Sequence, residues 1–349
     1  MGRLIYGTAW KKNDTDKLVY RALEAGFRAI STAAQPKNYE EALVAQGVGR
    51  AINAGVVPRR DVSVRSPLFS VSSCLPPTRS FHRNPHKGHT SDSSPQIQTT
   101  FTPAHSQAIK KVVKTARTGA HPGWPCPQRT STPSDCPYDP ATSLAEQVHH
   151  SVASSLSNFA IMPSSPGDVY IDAVILHAPY PAREHTEAVW TALSAHVPHH
   201  VRRLGISNVD DEELQHLLDF CAANPAAAAA PAIVQNRFRG CHRDDNFDAA
   251  VRQICKENGI EYQAFGVLRE KALLQDQQSV GAVADLAFAS REASLYALVM
   301  ALQDDMAVLD GTSKPSTMWA DINDIKQIGC CAESPEWKRA LESFEKGIH

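Results

Sequence analysis

The stretch AVILHAPYPAREHTEAVWTALSAHVPHHVRRLGIS, residues 173–207, decides the fold. It opens on a short apolar run, Ala173 to His177, of the kind that forms a strand buried on both faces. From Glu184 to Ala195 apolar residues return at helical spacing, and the stretch closes on a second apolar run, Leu204 to Ser207. A strand, a helix and a strand in so short a span make a βαβ unit, and its two strands are parallel.

The same alternation extends in both directions. Strands are predicted at Leu4 to Thr8, Ala29 to Thr32, Ile97 to Phe101, Ile233 to Asn236, Tyr262 to Phe265 and Ala307 to Leu309, which with the two above makes eight. Helices are predicted from Asp14 to Gly26, Glu40 to Asn53, Thr142 to Leu156, Asp210 to Ala223, Phe247 to Asn258 and Glu292 to Gln303, with a final piece near Trp337 to Phe344. Asp14 or Thr15 can cap the first helix, and Gly26 suits its exit. Eight βα units with no G-x-G-x-x-G after the first strand imply an α/β fold of the (β/α)8 TIM-barrel type, which places its chemistry at the C-terminal ends of the strands.

The chain has 349 residues, 42% of them apolar, with 35 basic against 37 acidic side chains. That length fills one large domain, and the near-neutral charge gives no reason to expect a nucleic-acid partner. No apolar run is long enough for a signal peptide or a membrane span, so a soluble, cytoplasmic protein is expected. The eight cysteines form no C-x-x-C pair and lack histidines at zinc spacing, so no metal site is expected.

Two segments break the alternation. Residues 63–95 and 108–134 are rich in Ser, Pro, Thr and basic residues, and Asp92 is their only acid. Setting both aside leaves roughly 290 residues, inside the usual range for such a barrel. Joining Asp61-Val62 directly to Gln96 gives DVQIQTTF, a continuous alternating strand. The first segment is therefore either a disordered loop or sequence foreign to the domain, a translated intron or a faulty gene model. The second follows a strand's C-terminal end, where a substrate-covering loop is ordinary. Lys110 to Lys114 reads as a solvated charge run, and Ala226 to Ala230 as a flexible connection.

Five motifs in order, GFRAISTA (26–33), VYIDAVILHAP (169–179), VRRLGISN (201–208), IVQNRF (233–238) and VLDGTS (308–313), resemble the aldo-keto reductase family, especially its fungal branch. The resemblance implies a single barrel over 1–349, interrupted at about 63–95 and 108–134. It also implies NADPH-dependent reduction of a small aldehyde or ketone through an Asp, Tyr, Lys, His tetrad. A phenol with an ordinary pKa of about 10 is a reluctant proton donor, so a lysine held by an aspartate normally tunes it, while a histidine orients the carbonyl.

By that resemblance His177 matches the family histidine, and Tyr39, in the Q-P-K-x-Y loop of the fungal form, matches the tyrosine. The aspartate position is Ser31 and the lysine position Thr100, two small hydroxyls that can satisfy each other or a water. Ser207, Asn208 and Gln235 match the residues that bind the nicotinamide carboxamide, and Phe265 matches the stacking aromatic. Gly311, Thr312, Ser313 and Lys314 match the phosphate segment. The arginine usual for the 2′-phosphate falls on Thr317, so NAD is an alternative to NADP. The expectation is a reductase with impaired chemistry, or a nucleotide-binding pseudoenzyme. Neither its substrate nor its oligomeric state follows from the sequence.

Overall fold

The computed structural model describes residues 2–57, 96–101, 137–139, 141–160, 170–240 and 246–348. The two atypical segments, 63–95 and 108–134, and the basic run at 110–114 lie outside the described residues.

The eight strands are β1 (Arg3–Gly7), β2 (Ala29–Ser31), β3 (Gln96–Phe101), β4 (Ile171–Leu176), β5 (Val201–Ser207), β6 (Ile233–Arg237), β7 (Glu261–Phe265) and β8 (Met306–Asp310). They form a closed parallel barrel in chain order. Closure is made by β1 against β8, with Leu4 opposite Val308. The helices in the first half are α1 (Thr15–Ala25), α2 (Glu41–Asn53), α3 (Leu144–Phe159), α4 (Arg183–Ser194), α5 (Asp211–Ala223) and α6 (Ala249–Asn258). Those in the second are α7 (Lys271–Gln275), α8 (Ala282–Ala287), α9 (Arg291–Met300), α10 (Pro315–Cys331) and α11 (Pro335–Gly347). This is the (β/α)8 barrel the alternation predicts.

Strand parity sorts the side chains into two compartments, because successive residues point to opposite faces. Outward residues such as Leu4, Tyr6, Val174, Leu176, Leu204, Ile206, Val234, Tyr262 and Val308 join the helices in one continuous apolar core. Inward residues form smaller apolar clusters in the lumen, Ile5 with Ala29 and Ala307, and Ala173 with Ile175 and Ile233. Gly205 is needed where β5 approaches β6, since a Cβ there would come 2.9 Å from both Cβ and O of Ile233.

Helix boundaries follow local chemistry. Ser143 and Asp210 cap α3 and α5, each in a reciprocal capping box with Glu146 and Glu213. At α1 the expected Asp14 cap is absent: its side chain makes no capping bond, because a short 3-10 turn at Lys12–Asp14 leads into the helix and Thr15 Oγ1 donates instead to Lys12 O at 2.6 Å. Gly26 ends α1 as expected, at φ 114°, its N–H donating to Ala22 O and Leu23 O.

Buried Glu41, at the start of α2, ties that helix to its neighbours by accepting from Thr99 Oγ1, Ser155 Oγ and Asn158 Nδ2. The alanine run is likewise fastened and is not the loose connection its composition suggests. Ala229 O accepts from Trp190 Nε1 at 2.8 Å, and Ala229 N donates to Ser194 Oγ at 3.0 Å.

Candidate active site

The uppermost inward residue of successive strands sits where the lumen opens to solvent. Parity and register together bring Ser31 (β2), Thr100 (β3), His177 (just past β4), Ser207 (β5), Gln235 (β6) and Phe265 (β7) into that layer. All six line one cleft of about 1280 Å3. The loops beyond the strands complete its walls with Tyr39, Asn208, Gly311, Thr312, Ser313 and Lys314. All twelve residues singled out in the sequence therefore share a single cavity, and Thr317 lines it as well.

Tyr39 is held by a tight turn in which both Asn38 N and Tyr39 N donate to Gln35 O at 3.0 Å. Trp10 N donates to Asn38 O at 2.9 Å, fastening this turn to the loop after β1. Burial pushes the Tyr39 phenol above the ordinary tyrosine range. His177 N donates to Phe101 O at 2.9 Å, and His177 O accepts from Asn208 Nδ2 at 2.7 Å, so the backbone of the histidine is pinned from β3 and from the end of β5.

Asn208 adopts a left-handed conformation, φ 52°, which turns its side chain back toward the strand ends. There its Nδ2 also donates to Ser207 Oγ at 3.1 Å, while Ser207 Oγ donates to Gln235 O at 2.5 Å. Ser31 and Thr100 are both buried in the wall. No hydrogen bond joins their hydroxyls among the described residues, which leaves water as the partner of the two alternatives. Ser31 O instead accepts from Thr8 N and Thr8 Oγ1, both at 3.0 Å.

Several residues that line the cleft or brace the turn after β8 have no sequence signal that singled them out. Lys11, beyond β1, donates from Nζ to Gly311 O, to Thr312 O at 3.3 Å and to Ser313 Oγ at 2.7 Å. Its place just past a strand end is the clue that could have found it. Asp310, Tyr296 and Asp321 meet in the same wall from β8, α9 and α10, and helix positions so far apart in sequence give no such clue. Asp310 Oδ1 accepts from Thr312 N at 2.9 Å, fixing the turn after β8. Burial, and then the neighbouring Asp310 carboxylate, push the Asp321 carboxyl up to about 8, so one proton is retained between the two acids.

An eight-stranded parallel barrel with a cleft at the C-terminal ends of its strands defines a (β/α)8 TIM-barrel protein. Residues 144–299 match the model of the Aldo/keto reductase family, so from α3 to α9 the chain carries that family's sequence pattern. No curated protein matches the chain.

Among solved structures it is similar to the aldose reductase from Schistosoma japonicum, at 15% identity and TM-score 0.61 over 99% of this chain and 88% of that one. It is also similar to MGS-M4, an aldo-keto reductase from a Medee basin deep-sea metagenome library, at 16% identity and TM-score 0.58 over 99% and 92%. A third is Gox0644, at 14% identity and TM-score 0.55 over 95% and 90%. At these identities the likeness is one of fold. No helix among the described residues is long and apolar enough to cross a membrane.

Proposed function

We propose that the cleft binds a nicotinamide dinucleotide and that the chain is a small-molecule carbonyl reductase whose proton-transfer chemistry is impaired. The observation that carries this reading is the convergence of all twelve positions on one cleft at the barrel's C-terminal face. The residues fit the group. Helix α10 begins after Lys314 with no side-chain cap, leaving its first turn open to an anion, and a Cβ at Gly311 would meet nothing within 4 Å. Lys11 and Lys314 add positive charge beside the same turn, where barrels of this kind generally hold phosphate.

In this reading the Gly311-Thr312-Ser313 segment and the start of α10 receive the phosphates. Ser207, Asn208 and Gln235 hold the carboxamide, and Phe265 packs against the ring. When bound, the reduced nicotinamide supplies a hydride to a carbonyl carbon. His177 orients the carbonyl oxygen, and Tyr39 delivers a proton to it from Oη. NADPH is the family's usual donor, but Thr317 in place of the arginine leaves NADH equally compatible.

The impairment follows from Ser31 and Thr100. Burial raises the Tyr39 phenol, and the two hydroxyls supply no positive charge to offset that rise. The phenol therefore keeps its proton in water but gives it up poorly. The limiting case is a barrel that binds the dinucleotide without turnover.

Titration of the purified protein with NADPH and NADH, followed by cofactor fluorescence, tests the reading. Saturable binding with slow aldehyde turnover is expected. A folded protein that binds neither nucleotide overturns it.

A further inference from the structure

A column of polar side chains runs up the barrel axis beneath the cleft, in a lumen otherwise lined by small and branched apolar residues. Its base is Glu261, which accepts from Arg3 Nη2 at 2.7 and 2.9 Å and from Arg203 Nη1 at 2.9 Å. Two residues up β7, on the same face, is Gln263, with no exposed surface. Gln263 Nε2 donates to Glu261 Oε1 at 2.9 Å and to Gln98 Oε1 at 3.0 Å. Its Oε1 accepts from Gln98 Nε2 and from Gln235 Nε2, both at 2.9 Å. Both donors and both acceptor positions of the Gln263 amide are thereby used.

The direction of these bonds is not arbitrary. Burial works against the charge on Glu261, but the two arginines outweigh it and hold the carboxyl below its ordinary range, so it can only accept. Gln263 must then turn its NH2 toward the floor and its oxygen upward. An upward oxygen can only accept, so Gln235, its register partner on β6, must direct its own NH2 inward and leave its oxygen for the cleft. A buried amide without such a constraint could sit either way round.

We propose that Glu261 and Gln263 are positioning residues that fix the polarity of the Gln235 amide, so that the cleft offers a hydrogen-bond acceptor to an NH2 group of the bound ligand. This rests on the nicotinamide reading above, in which that NH2 belongs to the carboxamide. The ion pair at one end of the barrel thus sets which atom is presented at the other, through three hydrogen-bonded side chains.

The test compares dissociation constants for oxidised NADP, for its 3-acetylpyridine analogue and for 2′-phospho-ADP-ribose. The analogue keeps the carbonyl but carries a methyl in place of the NH2. Wild type should bind the analogue about tenfold more weakly than NADP, the value of one well-formed hydrogen bond. In Gln263→Leu, and in Glu261→Gln, which removes the obligatory acceptor while keeping shape, that ratio should fall to about one. Affinity for 2′-phospho-ADP-ribose, which lacks the ring, should stay unchanged.

A wild-type ratio near one, or a tenfold ratio that survives in both variants, overturns the relay. So does a matching loss of 2′-phospho-ADP-ribose binding, because that loss means the variants damage the barrel generally. Wild-type protein that binds none of the three ligands and no NADH either overturns the nicotinamide reading itself; if it binds NADH alone, the same comparison is made with NAD, its 3-acetylpyridine analogue and ADP-ribose.

Discussion

In the proposed reading, Ser31 and Thr100 are the residues on which activity turns. Both are buried in the uppermost inward layer and line the cleft, where they supply hydroxyls and no charge. Installing Ser31→Asp and Thr100→Lys together gives a lysine its counter-ion and places a cation near Tyr39. Carbonyl-dependent NADPH oxidation should rise on the order of 10²-fold or more, the usual scale of positioned acid–base catalysis. Either single change buries an unpaired charge and should destabilise the protein without raising the rate. A folded double variant with unchanged turnover would contradict the assignment of these two positions.

Asp321 carries a second residue-scale expectation. An unfolded aspartate releases its proton near pH 4, whereas Asp321 in the fold holds its proton up to about 8. The fold therefore favours the protonated form. That contribution to stability is complete in acid and is lost as pH climbs from about 4 through about 8. The thermal unfolding midpoint should drop with rising pH across this window, and Asp321→Asn should remove about 2–4 °C of that drop. Equal pH slopes for the two proteins would show that the acid pair does not share a retained proton.

At the scale of elements, close approach matters more than composition. Helices α1 and α2 meet at Gly47, where a Cβ would lie 2.5 Å from Asp16 O and 2.8 Å from Val19 Cβ. Gly47→Ala should cost about 1–3 kcal/mol, because the intruding atom faces backbone that cannot yield. Gly329 in α10 meets nothing within 4 Å, and Gly329→Ala should stabilise by about 0.5–1 kcal/mol through helix propensity. Chemical denaturation of the pair measures both.

Elements were also legible to different degrees. The eight strands were readable because each is a short apolar or, as in β3, alternating run between polar connections. Helix α10 was not, because it buries only Met318, Asp321 and Ile328 along its whole length and so shows almost no apolar stripe. Helices α7 and α8 are too short to display a period.

For the molecule as a whole, the barrel was readable because alternation is a property of every unit and survives local interruption. The candidate site residues came from the resemblance, and strand parity accounts for why those at strand ends share one cleft. What stayed hidden, Lys11, Asp310, Tyr296, Asp321 and the axial glutamines, depends on which side chains meet across the barrel, and no sequence period encodes that. The β2 and β3 strands pair with Ala29 opposite Gln96 at the first residue of β3. Deleting 63–95 should therefore leave both strands their partners, and the shortened protein should unfold within a few degrees of the parent and retain NADPH binding. Loss of soluble protein on deletion would show that the segment belongs to the domain.

The β1–β8 seam has a consequence for how the protein is made. Arg3 pairs with Ala307, so the first strand of the barrel in chain order waits for the eighth. Until Met306–Asp310 is synthesised, β1 presents an unpaired row of N–H and C=O groups, and so does the free side of β7. Any chain terminated upstream of that point is an open sheet with two raw edges, and joining edge to edge with another such chain is the route left to it. Premature stop products should accordingly collect in the insoluble fraction, while the barrel, once its seam is shut, offers no strand edge among the described residues.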